Sequence, residues 1–337
     1  MKVLLYDTTN AFLTPGGKTT HAIKLQQEIS KLGVDIQFAE WWNLEQKDFD
    51  LIHFLVEEPT VAKLAKLKGR KTFSSMIFDY VTNLPTLQKC KAKLSIRAQM
   101  ALFPENVARW NALKYMDRVQ FMHEEDRKTA LSLFPHILDA NNTLIIPHAY
   151  DPDDMNISDH LNIEELHLPS KYLISCANIN PRKQTALLAR LAKKAKVPIV
   201  FMGGRNENDS YYREFSKEVD NQYVFDPGYV SKEWKDCIEA HASGYILLSL
   251  GESGCIAVYE AAAYKMPIML SNLPWAWGYE QPTDIYFCDI NKESVAIDQI
   301  RQFYEKSGKL DHTPFKIHSW SEIASMYVDE YKKIVET

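Results

Sequence analysis

The sequence predicts an α/β protein built from two doubly wound domains, each with a parallel sheet. Three observations predict this class. Short runs rich in β-branched and aromatic residues alternate with amphipathic stretches. A turn-rich connection interrupts this alternation near the middle of the chain, and the alternation then restarts. The chain of 337 residues is also longer than one hydrophobic core usually organises.

The first half of the chain predicts five strands. Between the first two strands, Thr19–Leu32 predicts a helix, because Ala22, Leu25 and Ile29 mark one apolar face. Strand–helix–strand repeats join parallel strands and place helices on both faces of the sheet. The predicted strands are Val3–Tyr6, Val34–Phe38, Leu51–Leu55, Lys71–Met76 and Arg118–Met122.

The second half repeats the same architecture. Gln184–Lys196 and Cys255–Lys265 are its clearest predicted helices, and Trp320–Val335 predicts a terminal helix with one apolar stripe. The predicted strands are Tyr172–Cys176, Val197–Met202, Tyr223–Phe225, Tyr245–Leu250 and Ile268–Ser271.

The segment Ile146–Asp154 contains two prolines and three acidic residues, which predicts a linker between the domains. We therefore expect an N-terminal domain over residues 1–148 and a C-terminal domain over residues 149–317. Residues 318–337 form the terminal helix, which we expect to cross back to the N-terminal domain.

Charge and cysteine content narrow the class of protein. The net charge of −5 argues against a general nucleic-acid binder. Residues 1–150 hold 19 Lys and Arg against 16 Asp and Glu, whereas residues 151–337 hold 20 against 28. The two halves are therefore expected to meet different partners. The five cysteines are scattered without metal-ligand spacing, which favours reduced thiols in a cytoplasmic protein.

The segment Ser249–Ala262 carries the strongest chemical signal. A hydrophobic strand runs into a loop of small residues, and a helix follows directly. At this position the amides of residues 254–256 are expected to cradle a diphosphate. One of Glu252 and Glu260 would reach a sugar hydroxyl and the other a ribose diol. The alternative is an ordinary turn between strand and helix with two solvated glutamates.

Glu252 and Glu260, followed by Ala261-Ala262-Ala263, resemble the E-x7-E element of glycosyltransferase family 4, also called glycosyl transferases group 1. Further segments resemble that family in the same order along the chain. These segments are residues 15–17, 146–151, 179–183, 225–231 and 318–320. The resemblance implies a GT-B fold, in which two Rossmann-like domains face a central cleft. It also implies a retaining transfer that needs no metal.

The resemblance also implies individual site residues. Glu252 and Asp79 would be catalytic, and no residue would bind a metal. The implied donor-binding residues are Gly16, Gly17, Asn178, Arg182, Lys183, Tyr229, Val230, Ser253, Gly254, Cys255, Ile256 and Glu260. The chain departs from the family pattern at two places. Asn178 stands where relatives often have an arginine, unless Arg182 replaces that cation, and Phe78 stands where many relatives have a histidine.

The implied function is transfer of a hexose-type sugar from a UDP- or GDP-sugar to a glycan or lipid-linked acceptor. A role in bacterial surface polysaccharide synthesis follows as an expectation, with the nucleotide sugar as co-substrate and no bound cofactor. Two alternatives remain open. One is a nucleotide-sugar epimerase of the same fold, and the other is a degenerate transferase that serves as a binding partner. A P-loop is excluded because the position five residues before Gly17 holds Phe12.

Residues 63–97 contain the densest cluster of positive charge in the chain. Its nine cations are Lys63, Lys66, Lys68, Arg70, Lys71, Lys89, Lys91, Lys93 and Arg97. This cluster is either a solvated helix face or a peripheral contact with an anionic membrane or acceptor at the inner face of the membrane. Trp275 and Trp277, just beyond the donor loop, are expected either to stack on a sugar or to pack locally.

Overall fold

A computed structural model describes residues 1–8, 16–76, 78–152, 155, 160–228 and 230–336, without the side chains of residues 79 and 80. The chain divides into two compact units. The first comprises Met1–Ala149 and His318–Thr337, and the second comprises Tyr150–Ile317.

The first unit contains a six-stranded parallel sheet in the order β2-β1-β3-β4-β5-β6. Alternate residues of its strands enter different apolar clusters. Leu4 and Ile52 belong to one cluster, whereas Val3 and Leu51 belong to the other, so the sheet is covered on both faces. The strands are β1 (Lys2–Tyr6), β2 (Asp35–Phe38), β3 (Leu51–Phe54), β4 (Lys71–Ser75), β5 (Arg118–Phe121) and β6 (Thr143–Ile145). The helices are α1 (Gly17–Lys31), α2 (Pro59–Leu67), α3 (Asp79–Thr82), α4 (Thr86–Leu102) and α5 (Glu124–Leu133).

The second unit contains another six-stranded parallel sheet, in the order β12-β11-β10-β7-β8-β9. It too has an apolar cluster on each face, with Ile174 in one and Leu173 in the other. The strands are β7 (Leu173–Cys176), β8 (Ile199–Met202), β9 (Val224–Phe225), β10 (Gly244–Leu247), β11 (Ile268–Ser271) and β12 (Ile285–Cys288). The helices are α6 (Thr185–Ala195), α7 (Ser210–Ser216), α8 (Lys232–His241), α9 (Ile256–Ala263) and α10 (Glu293–Lys306).

These two doubly wound, Rossmann-like sheets confirm the predicted fold class. The sequence prediction missed two strands, β6 and β12. Each lies at the edge of its sheet, and each has a weaker burial pattern than the central strands, with only one fully buried residue. Exposure alone does not explain these two omissions, because β2 is also an edge strand with one buried residue and was predicted.

The last helix, α11 (Trp320–Val335), packs within the first unit against α1 and β4. Buried hydrogen bonds attach it to the sheet. The imidazole of His53 bonds through Nδ1 to the Tyr331 hydroxyl at 2.6 Å and through Nε2 to Ser75 Oγ at 2.7 Å. Tyr327 donates to Gln120 Oε1 at 3.1 Å. Burial lowers the pKa of His53 to about 3, so this imidazole is neutral and structural.

Candidate active site

The loops after β7 and β10 meet where the strand order of the second sheet reverses. β8 and β9 extend from β7 on one side, and β11 and β12 extend from β10 on the other. The crevice outside the carboxyl ends of strands at such a point is the usual ligand site of a doubly wound sheet. Two hydrogen bonds join the loops. The Leu250 amide donates to the Arg182 carbonyl at 2.8 Å, and Arg182 Nη1 donates to the Gly251 carbonyl at 2.6 Å.

Glu252 lies at the centre of this crevice and carries three polar contacts. Its Oε1 is 2.7 Å from Lys183 Nζ and 2.9 Å from Arg182 Nη1. It also accepts a hydrogen bond from Ser249 Oγ at 2.5 Å. The side chain of Glu252 is 8% exposed and that of Lys183 is 12% exposed, whereas Arg182 is 51% exposed. The buried Glu252–Lys183 pair is therefore the strong contact, because solvent screens the Arg182 pair.

The loop that carries Glu252 leads directly into α9. Cys255 caps this helix, and its thiol is buried 4.0 Å from Lys183 Nζ. Burial raises the pKa of Cys255 to about 11, so the thiol is protonated. Ser253, Gly254 and Ile256 are partly exposed around the first turn. The free amides of this turn make the end of α9 a favourable place for negative charge.

Glu260 lies in the second turn of α9, where it belongs to a buried ionic network. Lys235 Nζ on α8 is 3.0 Å from Glu260 Oε2 and 3.0 Å from Glu239 Oε1. The Cys176 thiol donates to the same oxygen of Glu239 at 3.1 Å. Burial lowers the pKa of Lys235, but the two carboxylates outweigh this effect and raise it overall. Burial raises the pKa of Glu239 to about 7, against the lowering effect of Lys235.

The turns after β7 and β8 fit closely together. The side-chain oxygen of Asn178 accepts a hydrogen bond from the Gly204 amide at 3.0 Å. A Cβ at Gly203 would lie 2.2 Å from the Ala177 carbonyl oxygen, so only glycine fits there. Asn178 therefore supports the backbone of the neighbouring loop.

A second ion pair supports the turn after β9. Arg205 Nη1 contacts both carboxylate oxygens of Asp226, at 2.5 and 2.6 Å. Asp226 also accepts from the Gly228 amide at 3.2 Å. Gly228 has a φ of +81°, and a Cβ there would lie 2.6 Å from Arg205 Nη2. This pair fixes the turn that precedes Val230, which is partly buried against the core.

The remaining predicted residues lie in the first unit or outside the described residues. Gly16 caps α1 and Gly17 begins it, and both are exposed. Asp79 begins α3, but its side chain lies outside the described part of the structure, as does all of Tyr229. Phe78 is fully buried against Trp110 and Phe134.

Trp275 is a buried support of the loop that carries Glu252. Its indole Nε1 donates to the Ser249 carbonyl oxygen at 3.1 Å and to Ser271 Oγ at 3.1 Å. Because only 1% of Trp275 is exposed, its ring packs locally. Trp277 is half exposed and donates to Asn272 at 3.1 Å.

Sequence reasoning missed the residues that support this site. Lys235 and Glu239 are four residues apart on α8, a spacing that signals an ion pair within a helix. Nothing in that spacing predicts the further contact with Glu260. Arg205 gave no signal, because its partner Asp226 lies 21 residues away.

In the described ranges, His, Cys, Asp and Glu side chains form no group of three that would hold a metal ion. No helix within the same ranges is both long and apolar enough to span a bilayer.

Comparisons with known proteins agree with this geometry. Residues 157–314 match the sequence profile of the family described as Glycosyl transferases group 1. No curated protein gives a significant match to the chain. The Anabaena protein HepE, solved in complex with UDP and glucose, is 14% identical, with a TM-score of 0.67 over 100% of this chain and 98% of that one.

Two further solved structures are similar over nearly the whole chain. Sucrose-phosphate synthase from Thermosynechococcus elongatus is 13% identical, with a TM-score of 0.68, and the match covers 99% of each chain. An E. coli trehalose-6-phosphate protein bound with UDP-2-fluoro glucose is 12% identical, with a TM-score of 0.62 over 100% of this chain and 96% of that one. The chain therefore has the GT-B fold, and the match of its second unit supports a place among the glycosyl transferases of group 1.

Proposed function

We propose that the chain is a glycosyltransferase that moves a sugar from a nucleoside-diphosphate sugar to an acceptor. The observation that carries this proposal is the convergence of Lys183, Arg182 and Glu252 in the switch-point crevice, within the segment that matches group 1. Cations and a carboxylate together fit a ligand with a diphosphate at one end and a polyol at the other.

The departing diphosphate creates the charge that the site must stabilise. Lys183, Arg182 and the free amides of the first turn of α9 would bind its oxygens. Glu252 would hold a hydroxyl of the transferred sugar, Glu260 the ribose diol, and Asp79 would act beside the reacting sugar. A diphosphate oxygen would take the proton of the acceptor hydroxyl on the face that it leaves. The new glycosidic bond then forms on that face, with retention of configuration and with no metal in the step.

The donor base and the acceptor class rest on weaker support. The Anabaena neighbour was solved with UDP and the E. coli neighbour with a UDP-sugar, which favours UDP over GDP as the nucleotide. The acceptor we propose is a glycan or a lipid-linked sugar of bacterial surface polysaccharide. An epimerase would convert the donor without an acceptor, and a degenerate binding partner would neither convert nor hydrolyse it.

Titration calorimetry with UDP and GDP tests the nucleotide site. Lys183→Met should weaken nucleotide binding by about 2–5 kcal/mol, because it leaves the diphosphate without its buried cation. Lys193→Met is the matched control. Lys193 lies on α6, away from the crevice, and its Nζ is 3.3 Å from Glu218 Oε2. Equal nucleotide affinity in both variants would remove Lys183 from the site.

Addition of excess chelator tests the metal-free step. Donor turnover should persist with excess chelator, and strict dependence on a divalent ion would refute the metal-free step.

We further propose that the cation cluster of residues 63–97 contacts anionic lipid at the inner face of the membrane. Leu87 and Leu94 are exposed beside these cations on α4, as amphipathic membrane contacts require. Some of the charge is already paired, since Lys63 lies 2.6 Å from Glu105. Changing Lys89, Lys91 and Lys93 together to Glu should abolish sedimentation with anionic vesicles and leave donor hydrolysis intact. Absence of vesicle binding by the wild type at low salt would favour a solvated helix face.

A further inference from the structure

An exposed aromatic loop follows β2 in the first unit. The side chain of Trp42 is 98% exposed, that of Trp41 is 57% exposed and that of Leu44 is 81% exposed. Tryptophan contributes most to stability when it is buried, so a fully exposed indole adds little to the stability of the fold. Contiguous exposed apolar surface of this kind marks a binding site more often than it marks packing.

The loop is held in shape by its own polar groups. The Glu40 amide donates to Gln46 Oε1 at 2.8 Å, and the Asn43 amide donates to the Glu40 carbonyl at 2.8 Å. The Asn43 side chain donates to the Glu40 carboxylate at 3.2 Å and accepts from the Glu45 amide at 3.1 Å. The indole of Trp42 therefore lies on an ordered turn, so binding of a ligand would lose little conformational entropy in this loop.

The position of the loop matches a ligand site. The ring of Trp41 lies 5.4 Å from that of Tyr6, the last residue of β1. β1 is flanked by β2 and β3, so the strand order of this sheet reverses there. The next residue, Asp7, lies 2.7 Å from Lys18 in the first turn of α1. The aromatic loop therefore borders the switch point of the first sheet.

The loop is mainly acidic. Glu40, Glu45 and Asp48 are exposed in it, against one exposed cation, Lys47. Carboxylates accept hydrogen bonds from hydroxyl groups and repel phosphate, and they also disfavour an anionic membrane as the partner of these tryptophans. An indole face with carboxylates around it matches a pyranose ring, which has an apolar C–H face and a rim of hydroxyls.

We propose that Trp42, together with Glu40 and Asn43, binds a neutral sugar ring of the acceptor. This assignment rests on the proposed transferase function, which supplies the need for an acceptor. The sugar would stack on the indole of Trp42, while its hydroxyls would donate to the Glu40 carboxylate and accept from the second N–H of the Asn43 side-chain amide. The site selects a carbohydrate without phosphate at this position.

Saturation-transfer NMR and calorimetry on the full chain test the proposal with defined probes. The neutral probes are glucose, maltotetraose, cellotetraose and chitotetraose, and the charged probes are glucose 1-phosphate and glucose 6-phosphate. We expect at least one neutral probe to bind more tightly than the phosphorylated sugars. Trp42→Ala should weaken that binding about tenfold or more, and Trp42→Phe should restore part of it. Leu44→Ala removes an equally exposed apolar side chain that lacks a π face, so it should bind like the wild type.

Three outcomes would overturn the proposal. They are absence of binding by every neutral probe up to its solubility, equal losses in Trp42→Ala and Leu44→Ala, and tighter binding of the phosphorylated sugars. Loss of vesicle binding in Trp42→Ala, without any sugar binding by the wild type, would assign the loop to a membrane instead. Binding of UDP and GDP, measured on the same samples, separates the two proposals. A protein that binds UDP or GDP but no sugar refutes this inference alone, whereas Trp42-dependent sugar binding without binding of either nucleotide refutes the transferase proposal alone.

Discussion

Replacing Glu252 with glutamine separates its two effects on the donor. Before the donor binds, the Glu252 carboxylate neutralises the two cations proposed for the diphosphate, at 2.7 Å from Lys183 and 2.9 Å from Arg182. An arriving diphosphate must compete with this carboxylate for Lys183. Glu252→Gln keeps the size of the side chain and removes the competing charge. We therefore expect UDP to bind the variant more tightly than the wild type.

The magnitude follows from burial. The Arg182 pair is half exposed and contributes at most a few tenths of a kcal/mol after screening. The Lys183 pair is nearly buried, and close pairs of this kind have coupling energies of about 1.5 kcal/mol or more. Glutamine still accepts a hydrogen bond, so we take the low end, which is about a tenfold decrease in the Kd for UDP. The free energy of unfolding without ligand should fall by a similar amount, because Lys183 loses its partner.

The effect on catalysis should have the opposite sign. A hydrogen bond from a sugar hydroxyl to a carboxylate contributes about 1.5–3 kcal/mol, against about 0.5–1.5 kcal/mol for one to a neutral group. If the bond to Glu252 strengthens in the transition state, kcat should therefore fall about tenfold. Calorimetry with UDP and steady-state donor turnover measure the two effects on the same protein. A Kd for UDP that is unchanged or higher in a folded Glu252→Gln variant would refute the competition between carboxylate and diphosphate. An unchanged kcat would remove Glu252 from the sugar.

Three further predictions concern the Lys235 network, the buried histidines and the turn at Gly203. Lys235→Met should raise the Kd for UDP about tenfold in calorimetry, because the Glu260 carboxylate loses the ammonium that positions it; an unchanged Kd would separate Glu260 from the nucleotide. The free energy of unfolding, measured by urea titration, should fall as pH drops from about 6.5 to 5. Desolvation lowers the pKa of His21 to about 4 and the pKa values of His53 and His148 to about 3. Over this pH range these histidines take up protons in the unfolded chain but stay neutral in the folded one, which lowers the free energy of unfolding by about 2 kcal/mol for each histidine. A free energy of unfolding that does not change with pH would contradict the burial of these histidines. Gly203→Ala should lower the melting temperature, because its Cβ would lie 2.2 Å from the Ala177 carbonyl oxygen, whereas Gly16→Ala meets no atom within 4 Å and serves as the control.

The sequence predicted central strands better than edge strands, for a physical reason. β7 and β10 are buried at all four positions, so their composition is almost continuously apolar. The two missed strands, β6 and β12, are both at edges and have one buried residue each, although β12 is apolar throughout. The other two edge strands, β2 and β9, were predicted. The predicted strand Tyr245–Leu250 extended three residues too far, because Leu248 continues the apolar run after β10 has ended.

The candidate site shows the same division between local and tertiary information. The loop before α9 could be predicted from the sequence, because small residues between a buried strand and a helix form a local pattern. The pairing of Glu252 with Lys183 could not be predicted from the sequence, because the two residues are 69 positions apart and many acidic residues lie at similar distances from Lys183 along the chain. Only the strand order β10-β7 brings the two loops together, and strand order depends on packing throughout the unit.

Charge pairs on one helix and between helices differ in the same way. The spacing of Lys235 and Glu239 indicates a pair from the sequence alone, and such a pair on an exposed helix would contribute only a few tenths of a kcal/mol. Here Glu239 is buried, and the ammonium of Lys235 also reaches Glu260 on α9. The burial of Glu239 turns a weak surface pair into a fixed support, because this carboxylate would otherwise lack a partner in an apolar environment. The importance of Lys235 therefore follows from its ion pair with Glu260 on α9, and no pattern within α8 alone would reveal it.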